Sequence, residues 1–270
     1  MNTGSAATLP KMLPWWAICL HHIAEMGAVA PVERNARHGT TRVATPFYAV
    51  TPFTMLDFPD RIACILWIAG CNMRCGYCHN PQIVLGRGSI DEDRVIEFLT
   101  RRKGFLDGVV FSGGEATSWK HLARFAAQVK SMGFAIKLDT NGLRPDVVEY
   151  LLDEQLVDRI ALDYKAPRSH FHKVTGVTAY SRFSATLDLL CTQGKIPFDV
   201  RTTVHTDLLD EEAIVAMANN LFQRGYRGVY AIQSAVIDPD RPTLDGLAAQ
   251  SRPLDTERLR NGSPLQLEFR

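Results

Sequence analysis

Cys71, Cys75 and Cys78 lie in the stretch Cys71-Asn72-Met73-Arg74-Cys75-Gly76-Tyr77-Cys78-His79-Asn80, spaced by three and then two residues. Three thiolates on one short loop are soft sulfur donors aimed at a single point, which suits an iron-sulfur cluster or zinc far better than magnesium or calcium. A fourth thiolate normally completes a cluster held only for electron transfer. None follows nearby, which leaves one metal position open, the feature that separates catalytic metal sites from closed structural ones. Two other chemistries use the same residues. Cys75-Gly76-Tyr77-Cys78-His79 satisfies the C-x-x-C-H pattern of covalent c-type haem attachment. Cys71, Cys75, Cys78 and His79 could also close a zinc site, although ligands as near as Cys78 and His79 strain a tetrahedron. The loop alone does not choose among them.

The elements that position these cysteines are legible around them. The apolar run from Ile62 to Ile68 reads as a strand that delivers the loop at its end. From Thr51 onward, apolar runs alternate with helical segments. Candidate strands are 62–68, 109–111, 134–138, 159–162, 198–204 and 228–232. Between them lie segments of helical period, such as Ile214, Met217, Ala218 and Leu221. Ser89-Ile90-Asp91-Glu92 reads as a capping box, Pro145 suits a first helical turn, and Gly104, Gly133 and Gly194 suit left-handed helix ends. Six β/α units in series predict a parallel sheet covered by its crossover helices. Barrel and open sheet alike place function at the carboxyl ends of their strands.

Polar residues collect at those ends. Ser112-Gly113-Gly114-Glu115 follows the second candidate strand; its glycines permit close backbone approach, and Glu115 can accept hydrogen bonds from an ammonium group. Asp139-Thr140-Asn141-Gly142 follows the third and Asp163-Tyr164-Lys165 the fourth. Singly, each has a plainer reading, as a turn or a helix cap. Arg201 lies within the fifth strand, where a charge is costly unless paired, so a structural salt bridge stands beside a ligand contact. Gln233 ends the sixth strand. His205 reads as an exposed loop histidine, Trp67, Phe111 and Tyr230 as core, and Cys64 and Cys191 as buried thiols.

Composition bounds the rest. The chain has 270 residues, 46% of them hydrophobic, enough for a sizeable core in one domain. Lys and Arg number 30 against 29 Asp and Glu, so no basic field argues for nucleic acid. Six cysteines are too few for a disulfide scaffold, and a reducing cytoplasm is the expected compartment. Residues 1–45 fit nothing that follows and are expected to be a poorly ordered extension. Their apolar run, Met12 to Leu20, is too short for a membrane span. Ala28-Val29-Ala30 resembles a signal-peptidase site, but only Lys11 supplies positive charge upstream. Cys19, His21 and His22 are assigned no role. No G-x-G-x-x-G, Walker or hydrolase signature is present.

The spacing C-x3-C-x2-C, with an aromatic residue before the last cysteine, resembles the signature of the radical S-adenosylmethionine (SAM) superfamily. The wider string from Gly70 to Pro81 resembles the glycyl-radical-enzyme activases, and within them the anaerobic ribonucleoside-triphosphate reductase activating proteins. The resemblance runs from about Thr51 to about Gln233. It implies a partial (β/α)6 barrel over residues 46–270 and a [4Fe-4S] cluster on Cys71, Cys75 and Cys78, with the fourth iron chelated by the amino and carboxylate groups of SAM. It further implies SAM contacts from Tyr77 near the adenine, Gly113, Gly114 and Glu115 at the amino group, Asp139 and Asn141, Asp163 and Lys165, Arg201, and Gln233. Ala116 stands where the family often has proline, which leaves the glycines and the acid in place. The resemblance also implies a monovalent cation on Asp139 and Asp163, with the backbone oxygens of Thr140 and Ala161. The implied reaction is reductive cleavage of SAM to a 5′-deoxyadenosyl radical that installs a glycyl radical on a partner, foremost the anaerobic ribonucleotide reductase. Pyruvate formate-lyase as partner, or another radical SAM reaction, are the alternatives. The chain lacks the cysteine-rich insert of some activases, so one cluster is expected, with flavodoxin or ferredoxin as electron donor.

Overall fold

The protein is described here by a computed structural model covering residues 45–270; the expected extension lies, up to residue 44, outside the described residues. Among the described residues, eight strands form one sheet in chain order. β1 (Phe47–Thr54) is antiparallel to β2 (Ala63–Ile68). From β2 onward all neighbours are parallel, through β3 (Gly108–Gly113), β4 (Ala135–Thr140), β5 (Arg159–Asp163), β6 (Phe198–Val204), β7 (Tyr230–Ser234) and β8 (Leu267–Phe269). The connecting helices are α1 (Pro81–Leu85), α2 (Glu92–Arg101), α3 (Leu122–Ser131), α4 (Pro145–Asp153), α5 (Phe171–Thr175), α6 (Tyr180–Thr192), α7 (Glu211–Gln223) and α8 (Thr256–Gly262). The six expected strands are β2 to β7. The partial (β/α)6 barrel is therefore present, with one further strand at each edge.

Side chains alternate along each strand, and the register turns that alternation into two unlike faces. Leu66, Phe111, Leu138 and Ile160 follow one another across β2 to β5 and are fully buried. They share one core with helix residues Leu99, Phe125, Val129, Leu151, Leu187 and Met217. The opposite face is apolar only near the strands' amino ends, where Phe58, Ala63, Ile65, Val110 and Ala135 make a separate small cluster. Beyond it, this inner face turns polar toward the carboxyl ends, with Lys137, Asp139, Asp163, Arg201 and Gln233. α7 illustrates why the outer layer adheres: Ile214, Met217, Ala218 and Leu221 recur at helical spacing, and all are buried.

Local details depart from expectation in four places, the first being Cys191, which is half-buried rather than a buried thiol, whereas Cys64 is buried as expected. The N-cap of α2 is Asp91, whose carboxylate accepts from Arg94 N–H at 2.9 Å, and Glu92 is the first helical residue. A capping box needs its acid at the third helical position, so Ser89 lies too early; its hydroxyl donates to Tyr48 O instead. Trp67 is half-buried on the inner face, donating its indole N–H to Thr51 Oγ1 at 2.9 Å. His205 is 2% exposed rather than a surface histidine, with Nε2 hydrogen-bonded to Ala248 O at 3.0 Å. No helix among the described residues is long and apolar enough to cross a membrane.

Candidate functional site

β2 ends at Ile68, and the chain turns through Gly70 into the cysteine loop. This turn is laced to the end of β3 by Gly114 N–H to Ile68 O and Glu115 N–H to Gly70 O, each 2.9 Å. A side chain at Gly113 would meet Ile68 backbone at 2.3 Å, and one at Gly114 would meet Gly70 O at 2.0 Å. Gly113 also has φ of +123°, which an L side chain rarely adopts. The two glycines thus permit a close backbone approach, and what approaches is the end of β2 at Gly113 and the turn into the cysteine loop at Gly114.

Glu115 is held in the same way. It is 2% exposed, and its carboxylate accepts from Thr117 N–H (3.0 Å), Thr117 hydroxyl (2.5 Å), Thr140 hydroxyl (2.8 Å) and Asn141 N–H (2.7 Å). It clamps the end of β3 to the end of β4. Burial raises its carboxyl above the usual range, and these neutral donors do not cancel that penalty. Asn141, also buried, donates its amide to Asn72 Oδ1 at 2.7 Å and lies 3.9 Å from Cys71 Sγ.

Along the inner face, five charged groups form an alternating chain. Lys137 Nζ reaches Asp139 at 2.5 Å, Arg201 bridges Asp139 (3.3 Å) and Asp163 (2.5 Å), and Lys165 Nζ reaches Asp163 at 3.1 Å. The Ser112 hydroxyl adds a further bond to Asp139 at 3.2 Å. Burial pushes both carboxyls up, but the adjoining cations outweigh it and hold each below the usual carboxylate range. Lys165 and Arg201 are raised by the same pairings, against a burial penalty of opposite sign. The salt-bridge reading of Arg201 is therefore realised. All four carboxylate oxygens are engaged by protein donors, so the cation expected on Asp139 and Asp163 meets no free carboxylate oxygen. Three cations face two carboxylates, which leaves one positive charge in excess.

The chain of charges reaches the cysteine loop through Lys165, whose Nζ lies 6.0 Å from the Tyr77 ring centroid. Cys75 and Tyr77 are buried, and Cys71 and Cys78 are half-buried. Burial pushes the Cys71 thiol up to about 11 and the Cys75 thiol up to about 12. Cys75 also interacts electrostatically with Lys165, Cys71, Cys78 and Asp163, which places thiols and ion chain in one neighbourhood. Gln233 stands on the inner face beside Thr203 in the β6–β7 register.

One contributor escaped the sequence reading. Between β7 and α8 the chain crosses back over the cysteine loop, where Leu244 N–H donates to Cys78 O (2.9 Å) and Asp245 N–H to Gly76 O (3.3 Å). The Asp245 carboxylate occupies the space that a side chain at Gly76 would need. This strap is moored at its far end by Thr206 hydroxyl to Arg252 O (2.7 Å) and by Arg252 clasping both oxygens of Glu211 at 2.7 Å. That clasp holds the Glu211 carboxyl down to about 2. Only the turn-forming residues of Asp238-Pro239-Asp240-Arg241-Pro242 hinted at it.

Residues 65–221 match the Radical SAM superfamily. The chain belongs to this superfamily. A Methanocaldococcus jannaschii relative that bears the name of a glycyl-radical enzyme activating enzyme is 32% identical over 185 residues, 64% of this chain and 73% of the relative. The pyruvate formate-lyase-activating enzyme of Clostridium pasteurianum is 29% identical over 44% of this chain and 51% of its own length. The pyruvate formate-lyase 1-activating enzyme of Escherichia coli is 35% identical over 40% and 48%. The chain thus spans nearly three quarters of the archaeal relative and about half of the two bacterial ones. Among solved structures, Streptococcus suis SuiB bound to S-adenosylmethionine has TM-score 0.57 at 13% identity, covering 76% of this chain and 51% of SuiB. The structure of anSMEcpe with bound AdoMet has TM-score 0.57 at 14% identity, covering 74% and 61%. These likenesses concern the fold.

Superfamily membership implies a [4Fe-4S] cluster and SAM, and the residues present fit them. The donor set is three soft thiols on one short loop, each within electrostatic reach of another. Among the described residues, the buried Tyr77 hydroxyl has no hydrogen-bond partner, and neither has Asn80 Oδ1, which marks this loop as built to face something further. Among the described residues no three His, Cys, Asp or Glu side chains are already gathered as an ion's ligand shell, so the fit rests on donor chemistry and on these orphaned atoms.

Proposed function

We propose that this radical SAM protein is a glycyl-radical-enzyme activase, with Cys71, Cys75 and Cys78 holding the cluster and anaerobic ribonucleoside-triphosphate reductase as the partner. When bound, the cluster supplies the electron that splits SAM into methionine and the 5′-deoxyadenosyl radical that takes hydrogen from the partner's glycine. The observation that carries the reading is the placement of a three-thiol loop against strand ends whose ion chain has one cation in excess. Lys165 and Arg201 have room in their charge balance for one more carboxylate, which the methionine end of SAM supplies. Tyr77 offers its ring and an unpartnered hydroxyl next to Lys165, and Gln233 offers an amide from the inner face. Gly113, Gly114 and Glu115 set the position of the cysteine loop and so orient its donors. Met73, Cys75 and Tyr77 are buried, which keeps water from the thiol side of the site. Flavodoxin or ferredoxin serves as reductant in a reducing cytoplasm.

A second partner, pyruvate formate-lyase, is favoured by the 29% and 35% identities to its named activating enzymes. The test is anaerobic reconstitution with iron and sulfide, reduction, and addition of SAM with either purified partner. Production of 5′-deoxyadenosine together with a glycyl radical resonance on the reductase is the expected result. A glycyl radical on the lyase alone would reassign the partner. Neither product nor SAM binding from a loaded cluster would remove the activase reading.

A further inference from the structure

The three thiols are not equivalent. Cys71 Sγ lies 3.4 Å from Met73 N–H and 3.9 Å from Asn141 Nδ2, whereas among the described residues no N–H or O–H is directed at Cys75 or Cys78 sulfur. The orientation of the Asn141 amide follows from its surroundings. Its Oδ1 accepts from Leu143 N–H at 3.1 Å, a turn bond only an oxygen can make, so the NH2 group must face the cysteine loop. That NH2 has two hydrogens. One is taken by Asn72 Oδ1 at 2.7 Å, and the second has Cys71 sulfur as its neighbour. Backbone and side chain alike are pinned, because Asn141 N–H donates to the buried Glu115 carboxylate and the residue is 4% exposed.

We infer that Asn141, expected from sequence to touch SAM, is instead a positioning residue that donates to the Cys71 thiolate and raises the reduction potential of the cluster. This rests on the reading of Cys71 as a cluster ligand. Hydrogen bonds to cluster sulfurs are among the determinants of its potential. The reduced cluster carries one more negative charge than the oxidised one, so an N–H dipole directed at its sulfur stabilises the reduced form more. Charge-assisted bonds of this kind are the stronger class. The Met73 and Asn141 donors together make the Cys71 corner the most polar of the three.

The test is a dye-mediated redox titration of the reconstituted full-length protein without SAM, followed by electron paramagnetic resonance. Asn141→Ser and Asn141→Asp both keep an oxygen for Leu143 N–H and remove the amide NH2 that faces the Cys71 sulfur; the serine hydroxyl, on a shorter side chain, sits further from it. Asn141→Ser is expected to disfavour reduction roughly tenfold, a fall of about 59 mV for one electron, and Asn141→Asp to lower the potential further. A fully loaded cluster with wild-type potential in both variants overturns the inference. Should the variants not load, wild-type protein carrying side-chain 15N-asparagine supplies the answer by electron-nuclear double resonance. A 15N coupling to the cluster is expected, and its absence overturns the inference. A wild-type chain that takes up no iron at all removes the cluster reading first, which separates that failure from this one.

Discussion

Along β4, Ile136 and Leu138 are fully buried against the helix layer, while Lys137 and Asp139, each one residue away, pair with each other on the opposite face. β5 repeats the division, with Ile160 and Leu162 outward and Asp163 inward to Arg201. The same backbone ladder supports both faces, and pleat alone assigns each residue its task. Burying an outer leucine or phenylalanine contributes about 1.5–3 kcal/mol. A buried ion pair is worth far less net, because desolvation opposes its attraction. The inner charges therefore add little to holding the sheet together, and they recur where a charged ligand has to be received.

The most severe test of that division concerns the thiols. Cys75→Ala is expected to abolish 5′-deoxyadenosine formation, whereas Cys191→Ala, at the helix layer, should leave it unchanged; equal activity in the two variants removes the cluster assignment. Next in size, Phe111→Ala on the outer face should cost about 3–5 kcal/mol, lowering the melting temperature by roughly 6–20 °C in a domain of this size. A much smaller loss would mean that the helix layer repacks around the gap. On the inner face, Arg201→Met should cost about 1–3 kcal/mol by removing one donor from each of two buried carboxylates, which Lys137 and Lys165 still pair. It should also weaken SAM binding at least tenfold, about 1.4 kcal/mol. Adding Asp163→Asn should restore stability but not affinity, and recovery of both by calorimetry would show that Arg201 acts only as a strut.

The smallest effect is the pH dependence. Asp139 and Asp163 have depressed carboxyls in the folded protein. Their contribution is complete above the ordinary aspartate value of about 4 and is lost as the pH falls below it. Glu115 has the opposite sign: its raised carboxyl favours the fold at low pH and costs stability as the pH rises. Asp163→Asn should therefore flatten the acid limb of a plot of melting temperature against pH. An unchanged limb would mean that other carboxylates govern acid unfolding.

Much of this was legible in the chain. Six strands announced themselves as apolar runs, and their polar ends carried Glu115, Asp139, Asn141, Asp163 and Lys165 into one region. β1 was not, because Pro52 lies within it and two register shifts break its pairing. β8 was hidden by its length of three residues. The pairing of Arg201 with both Asp139 and Asp163 depends on register between strands, which single-strand periodicity does not encode. Gly113 and Gly114 signal a close approach, but their sequence does not say that the end of β2 and its turn into the cysteine loop are what approach them. The strap was invisible because its hydrogen bonds to Gly76 and Cys78 join residues far apart in the chain.

That strap has a consequence for how the protein is made. Ribosomes release the cysteine loop long before residues 243–247, and a domain generally folds as a unit during synthesis. The backbone oxygens of Gly76 and Cys78 wait for Leu244 and Asp245, so the loop is among the first parts of the domain to be synthesised and among the last to be finished. Metal delivered to the nascent chain would meet three thiols whose cover has not yet arrived.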